Sequence, residues 1–194
     1  MLVVGVGSSN GWVASWPDAP TLFLALELLP EPPVDQVLVA HEMIHLAHER
    51  RRPAPWPETV GTRLFAEGLA GALSRRLVPG LALDAYLWVD DAHRDWLGEC
   101  QRRGGQLAAA LLRDLELEEE RGQRYFSARP ELAEGLPVRS GYWAGMLAVQ
   151  RLLDESFEAS PGPLLDWDFR TATQELARAL TDLDEIIAGS APKD

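Results

Sequence analysis

Two proline-rich stretches, L-P-E-P-P (29–33) and P-A-P-W-P (53–57), bracket a segment that holds three of the four histidines in the chain. Proline lacks a backbone donor and clashes with the preceding helical turn, so each stretch interrupts regular structure. The residues between them can therefore form one continuous element. Asp35 is a suitable N-cap, and the sequence predicts a helix from there through about Arg51.

The polar residues within this helix have a spacing that suits a metal ion. His41, Glu42 and His45 form the pattern H-E-x-x-H. Residues four apart lie one turn apart and about 40° apart around a helix, so both imidazoles can reach one ion. Glu42 lies to one side, where it can take a proton from a water on that ion. The pattern predicts a catalytic zinc site.

A catalytic zinc site has three protein ligands and a water, and the best candidate for the third ligand is Glu67. It lies in R-L-F-A-E-G-L-A-G-A-L (63–73), on a second helix predicted from about Thr59 to Leu77. Its small neighbours are Gly68, Ala70, Gly71 and Ala72. We expect their face to let the second helix approach the first closely. The alternative is an ordinary exposed glutamate beside a tightly packed helix seam.

These motifs resemble those of the gluzincin metallopeptidases, in which H-E-x-x-H is followed by a glutamate in E-G-L-A. More narrowly, the chain resembles the predicted zinc-dependent proteases of the DUF2268 type. The shared segments are G-V-G-S-S-N-G-W (5–12) before the active-site helix and G-Y-W-A-G (141–145) after it. The resemblance implies a thermolysin-like core, one zinc ion per chain, and Glu42 as the general base. The zinc ligands that it implies are His41, His45 and Glu67.

Three further residues have more than one interpretation. Tyr142, in G-Y-W-A-G, is the first candidate to stabilise a developing oxyanion, but it also heads the apolar stripe of its helix and could be core. His48 lies about 10 Å along the helix axis from His41, too far to share one ion, so we expect it to be structural or to support a ligand. His93, in D-D-A-H-R-D, is predicted to lie on the surface.

Charge and composition limit the possible partners. The net charge of -12 argues against nucleic acid and against an anionic membrane surface. A peptide or protein substrate is expected, and an acidic surface favours basic or neutral peptides by steering. The single cysteine, Cys100, excludes an intramolecular disulfide and fits a reducing compartment. Because no signal peptide or bilayer-spanning run is evident, we expect a cytoplasmic protein.

The sequence predicts an α+β fold in one domain, 1–194, with a small antiparallel sheet at the N-terminus and a mainly helical body. Strands are expected within 1–30, the zinc-site helices within 34–80 and the helical body within 91–187. L-V-V-G-V-G and G-W-V-A-S-W flank the turn S-S-N-G and are predicted to pair as a hairpin, whose edge could bind extended peptide. T-L-F-L-A-L-E-L-L (21–29) is predicted to be a buried strand.

The C-terminal half is predicted to be helical. Region 91–120 contains Gly104-Gly105 and is expected to form two helices or one kinked helix. The last helix is predicted to begin at the capping box of Thr171 and Gln174. Its apolar stripe is Leu176, Leu180, Leu183 and Ile187. We expect residues 106 to 187 to form a bundle that shapes the cleft.

Three functions are consistent with these features. The first is zinc-dependent hydrolysis of peptide bonds. The second is a zinc-containing binding or regulatory module without turnover, or a related site for a small non-peptide substrate. The third is a metal-free helical interaction protein in which the motif is accidental. Because Glu42 is present beside both histidines, the sequence favours the first.

Overall fold

The chain folds as an α+β protein that is mainly helical, with a small sheet at its N-terminus. Its structure is a computed structural model that describes residues 1–5, 10–87, 95–156 and 162–183. The strands are β1 (Leu2–Val3), β2 (Gly11–Ser15) and β3 (Pro20–Ala25). The helices are α1 (Val34–Arg51), α2 (Val60–Leu77), α3 (Leu83–Leu87), α4 (Trp96–Arg102), α5 (Gly104–Asp114), α6 (Gln123–Phe126), α7 (Ser140–Ser156) and α8 (Phe169–Thr181). No helix in these ranges is long and apolar enough to cross a membrane.

The sheet is mixed, with the strand order β1-β3-β2. β1 runs parallel to β3, and β2 runs antiparallel to it. The predicted hairpin between the first two strands is therefore wrong, because both strands pair with β3 instead of with each other. β3 lies in the centre of the sheet, where it pairs with a strand along each edge and buries Phe23 and Ala25. Residues 8 and 9 of the predicted turn lie outside the described residues.

The third strand is also shorter than predicted. It ends at Ala25, and a short 3-10 helix, Leu26–Leu28, follows it. Apolar runs of this length fit strand or helix equally well by periodicity. The early end of β3 turns the chain toward α1, which contacts both β2 and β3. The sheet is thereby placed against the helix that carries H-E-x-x-H.

The two helices of the predicted zinc site form nearly as expected. The prediction that Asp35 is the N-cap of α1 is wrong, because α1 begins at Val34, directly after Pro33, and no side chain caps it. Asp35 therefore lies in the first turn, where its Oδ1 accepts a hydrogen bond from the backbone N–H of Gln36 at 2.8 Å. At the start of α2, Thr59 and Thr62 cap each other's backbone N–H groups, at 3.3 and 3.0 Å. This reciprocal capping fixes where α2 begins.

α2 is the central helix, packed between α1 on one side and α7 on the other. The expectation that its small residues face α1 is wrong for both glycines. A Cβ at Gly68 would lie 2.3 Å from the carbonyl oxygen of Gly145, and a Cβ at Gly71 would meet Met146 at 3.3 Å. Both partners belong to α7. The glycines allow the backbones of α2 and α7 to touch, which leaves the face of α2 with Glu67 to meet α1.

The helices of the C-terminal half differ from the prediction mainly at their ends. α4 and α5 are separate helices that meet at Arg103, as the adjacent glycines indicated. The predicted start of the last helix at Thr171 is wrong, because Asp168 is the N-cap. Its Oδ1 accepts hydrogen bonds from the backbone N–H groups of Arg170 and Thr171, both at 2.9 Å. Leu176, Leu180 and Leu183 are buried as expected, and Ile187 lies outside the described residues.

Candidate metal centre and its cavity

Two helices bring the three predicted ligands together. α1 supplies His41 and His45, whose Nε2 atoms are 3.1 Å apart. α2 supplies Glu67, whose Oε2 lies 3.3 Å from Nε2 of His41 and 3.4 Å from Nε2 of His45. The arrangement follows from the helical spacing of the histidines and from the close packing of α2 on α1. Sequence reasoning therefore identified the members of this cluster correctly.

The three atoms have the separations that a metal ion requires. Tetrahedral coordination at 2.0–2.2 Å places neighbouring donor atoms about 3.3–3.6 Å apart, close to the distances in this cluster. A carboxylate oxygen and the unprotonated nitrogen of a neutral imidazole all offer lone pairs. Lone pairs that converge this closely repel unless a proton or a cation lies among them. The cluster of His41, His45 and Glu67 could thus hold a metal ion.

Without a metal ion, a proton takes the bridging role. Burial opposes the charge of Glu67, but hydrogen bonds with the two imidazoles outweigh it and hold the pKa of that carboxyl well below its usual range. Burial likewise disfavours the charged form of His45, yet its hydrogen bond to Glu67 raises the pKa of that imidazole. Burial dominates at His41 and lowers its pKa. A proton is therefore held more readily by His45 than by His41.

Glu42 lies beside the cluster without belonging to it. The residue is 7% exposed and lines the same cavity as the two histidines. Burial, reinforced by the charge of Glu67, raises the pKa of Glu42 to about 7, while the charge of His45 acts in the opposite direction. Gly11 of β2 packs directly against it, since a Cβ at Gly11 would lie 2.8 Å from Cγ of Glu42. The sheet thus fixes where this carboxylate can lie.

His48 is placed apart from the cluster by an aromatic environment. It is buried, and its ring makes an edge contact with Trp56 at a centroid distance of 4.7 Å and lies 6.0 Å from the ring of Phe65. Burial, followed by the charge of Arg52, lowers the pKa of His48 to about 4. The imidazole is therefore neutral at physiological pH and serves to pack the end of α1. This placement agrees with the structural interpretation of His48.

Tyr142 combines the two interpretations that its sequence left open. Its ring packs edge-on against Phe126 at a centroid distance of 5.6 Å, and the side chain also lines the cavity. The phenol accepts a hydrogen bond from Arg63. Burial is the main cause of its raised pKa, and the negative charge of Glu67 adds to it. The structure thus brings Tyr142 to the cavity that the cluster also lines, whereas His93 lies outside the described residues.

The cluster opens into a cavity of about 790 Å³. Its walls are β2, α1, α2, the loop after α1, and the beginning of α7. Of the described residues within 106 to 187, two line it, Arg139 and Tyr142. The predicted bundle therefore contributes one short stretch of wall, and β2 contributes a whole strand, because the sheet packs against α1 directly.

Three cavity residues were not among the predicted site residues. In the sequence, Gly11 ends the predicted turn and begins the strand that follows it. Its contact with Glu42 depends on how the sheet packs against α1. Arg63 is four residues before Glu67 on α2, a spacing that could have indicated it, and its Nε lies 3.9 Å from Oε1 of Glu67. Arg139 precedes α7 with a φ of 55°, a conformation that the sequence does not indicate.

Comparisons of the chain with protein-family models, with curated proteins and with solved structures give no match.

Proposed function

We propose that this chain is a zinc-dependent hydrolase that cleaves peptide bonds. The observation that carries the proposal is the convergence of the donor atoms of His41, His45 and Glu67 to within 3.4 Å of one another, next to a cavity. Two imidazoles and one carboxylate, with room for a water, are the ligand set of a catalytic zinc site. An all-oxygen site would suit magnesium or calcium better.

The proposal assigns a separate role to each neighbouring side chain. A bound zinc ion acts as a Lewis acid that lowers the pKa of a coordinated water. Glu42, beside the ligands but not among them, is the general base that accepts the proton of the attacking water. Tyr142 is the donor for the oxyanion that forms on the scissile carbonyl. Its hydrogen bond with Arg63 orients the phenol toward this task.

The position of β2 supports a peptide substrate. β2 lies at one edge of the three-stranded sheet, and residues 11–15 all line the cavity. An extended peptide can pair with an edge strand through backbone hydrogen bonds, independently of its side chains. Such pairing would lay the peptide along α1 and past the metal cluster. A small non-peptide substrate would make no use of this strand.

The same arrangement supports a thermolysin-like catalytic core. In this proposal, α1 carries both histidines, α2 carries the glutamate, and β2 is the substrate-binding edge. The core is small, since α1, α2 and the sheet together occupy less than half of the chain. α7 supports this core by packing its glycine-containing face on α2.

The variant Glu42→Gln tests the mechanism. Glutamine keeps the size of the side chain but cannot accept the proton, so the variant should bind zinc as the wild type does and lose peptide hydrolysis by about a hundredfold or more. Asp35→Asn is the matched control, because it removes one negative charge from the same helix, away from the cavity. Zinc content and the rate of cleavage of a mixed peptide library are measured for all three proteins.

The result separates the proposed function from its alternatives. Unchanged turnover in Glu42→Gln would disprove the role of Glu42. A wild-type protein that holds one zinc ion and cleaves no peptide in the library would be a binding or regulatory module. A protein that holds no zinc, and whose melting temperature does not change when zinc is added, would be a metal-free interaction protein.

A further inference from the structure

The wall of the cavity formed by Arg63, Arg139 and Tyr142, which we name the α7 wall, concentrates positive charge in an acidic protein. The chain has a net charge of -12, yet two arginines lie together here. A third cavity arginine, Arg52, forms an ion pair in which its Nη2 lies 2.5 Å from Oε1 of Glu49. Two guanidinium groups at one end of a cavity favour a ligand with negative charge.

Aromatic rings hold both arginines of the α7 wall in place. The Cζ atom of Arg63 lies 4.5 Å from the ring centroid of Phe126. The Cζ atom of Arg139 lies 5.0 Å from the ring centroid of Tyr142. The two rings also contact each other edge-on. A guanidinium held on an aromatic face loses less rotational entropy when it binds a ligand, so this wall is prepared for binding.

The strained backbone conformation of Arg139 indicates that its side chain has a functional role. Its φ of 55° lies in the left-handed region, which glycine adopts without steric cost and which other residues rarely adopt. The conformation is fixed by hydrogen bonds on both sides, from its N–H to the carbonyl oxygen of Ser127 and from the N–H of Tyr142 to its own carbonyl oxygen, both at 3.1 Å. A strained residue at a cavity points to function.

The α7 wall also lies next to the metal cluster. Nε of Arg63 is 3.9 Å from Oε1 of Glu67, the carboxylate oxygen that does not face the histidines. Arg139 lines the same cavity as His41. A group bound by these arginines would therefore lie within a residue or two of a peptide bond at the cluster.

We infer that Arg139 and Arg63 bind a carboxylate of the substrate, so that the preferred peptides carry a carboxylate next to the scissile bond. The planar guanidinium matches a carboxylate through paired N–H···O hydrogen bonds. The carboxylate can be the C-terminus of the peptide or the side chain of an aspartate or glutamate. The inference rests on the proposed function, since that proposal places the scissile bond at the metal cluster.

Equilibrium binding to the zinc-loaded Glu42→Gln protein tests the inference without requiring turnover. The probes are acetyl-Ala-Phe with a free C-terminus, its C-terminal amide, and acetyl-Ala-Asp amide. Binding is followed by the fluorescence of the cavity tryptophans, Trp12 and Trp56. We expect at least one of the two carboxylate peptides to bind about tenfold or more tightly than the neutral amide. The one that does identifies the source of the carboxylate.

Variants of the α7 wall then link this preference to the two arginines. Arg139→Gly adopts the left-handed conformation without strain, so it should fold, and Arg63→Gln keeps the length of its side chain. Each should remove most of the preference. Arg139→Gly should leave the affinity for the neutral amide unchanged. Arg63→Gln also loses the hydrogen bond to Tyr142, so its effect is measured as the ratio of the affinities for the carboxylate peptide and the neutral amide. Arg52→Gln, which changes the cavity arginine that pairs with Glu49, should keep the preference. A loss of affinity for all three probes alike would instead indicate that the arginines act on the peptide backbone and would overturn the inference.

Failure of the inference and failure of the proposed function give different results. Equal affinity for the three probes, or no binding of any of them, overturns the inference even if the wild-type protein hydrolyses peptides. A carboxylate preference that depends on Arg139, in a protein that hydrolyses no peptide, supports the inference as a binding property and contradicts the proposed function.

Discussion

Two carboxylates of this protein, Glu67 and Asp114, are surrounded by polar partners, but the partners differ in kind. Asp114 accepts hydrogen bonds from Nε of Arg113 and the hydroxyl of Tyr125, each at 2.9 Å, and pairs with Arg124. Each of those partners brings a proton, so the cluster is complete. Glu67 faces two imidazole nitrogens that can offer lone pairs.

The difference shows how a functional cluster can be recognised among structural ones. At Asp114, burial opposes the charge, but hydrogen bonds from Arg113 and Tyr125 and the charge of Arg124 outweigh it and lower the pKa of the carboxyl. The pKa of Glu67 is also lowered, yet its cluster lacks a permanent positive charge at its centre. A convergence of acceptors is costly in a folded protein, and a bound cation resolves it.

The largest effect is expected when the cluster of His41, His45 and Glu67 loses the negative charge of its carboxylate. Glu67→Gln replaces a carboxylate with a neutral amide, a poor ligand for zinc, and should weaken zinc binding by about a hundredfold or more. The fold should persist, because the amide fits the same space. Isothermal titration with zinc, together with circular dichroism of the metal-free protein, measures both. Zinc affinity equal to that of the wild type would show that Glu67 is not a ligand.

The opposite pattern, a loss of stability without a loss of zinc affinity, is expected for the cluster around Asp114. Asp114→Asn leaves Arg124 without its buried counter-ion, so the free energy of unfolding should fall by about 2–3 kcal/mol. Zinc affinity should not change, because α5 and α6 do not line the metal cavity. Urea denaturation of the metal-free variant measures the first effect and zinc titration the second. If this variant lost zinc affinity but kept its stability, Asp114 would belong to the metal site and the contrast with Glu67 would be wrong.

A smaller effect is expected where the Glu67 cluster opens to the cavity. A methyl group at Gly11 would press on the side chain of Glu42, which can shift, so Gly11→Ala should keep both stability and zinc. The displaced base would lower turnover by about tenfold, because catalysis depends on sub-ångström placement. Steady-state cleavage of a reference peptide checks this expectation. Full activity would mean that the position of Glu42 is not limiting.

The smallest effect is a gradual dependence on pH. The pKa of His45 is raised above 6.5, so the site gains a proton as the pH falls through that region, and zinc must displace it. Zinc affinity should therefore fall by up to tenfold per pH unit as the pH is lowered from 7.5 to 5.5. The pKa of Asp114 is lowered below 3.8, so its contribution to stability persists over this range and is lost only at more acidic pH. Zinc affinity that is constant over this range would contradict the protonated state assigned to His45.

Sequence reasoning succeeded where local geometry decides the outcome. The prolines on both sides and the spacing of His41 and His45 concern one helix, and Thr59 caps the next. α1, α2 and the cluster of His41, His45 and Glu67 were therefore predictable. The placement of β3 between β1 and β2 was not, because it depends on which strand buries the most apolar surface. The contact of Gly11 with Glu42 and the conformation of Arg139 arise only from tertiary packing.

The central claim is that His41, His45 and Glu67 hold one zinc ion, and crystallography at the zinc absorption edge tests it most directly. For protein crystallised with zinc, we predict one anomalous peak per chain, about 2.0–2.2 Å from Nε2 of both histidines and from an Oε atom of Glu67. A map with no peak at these atoms, or with the three side chains turned away from one another, would contradict the account.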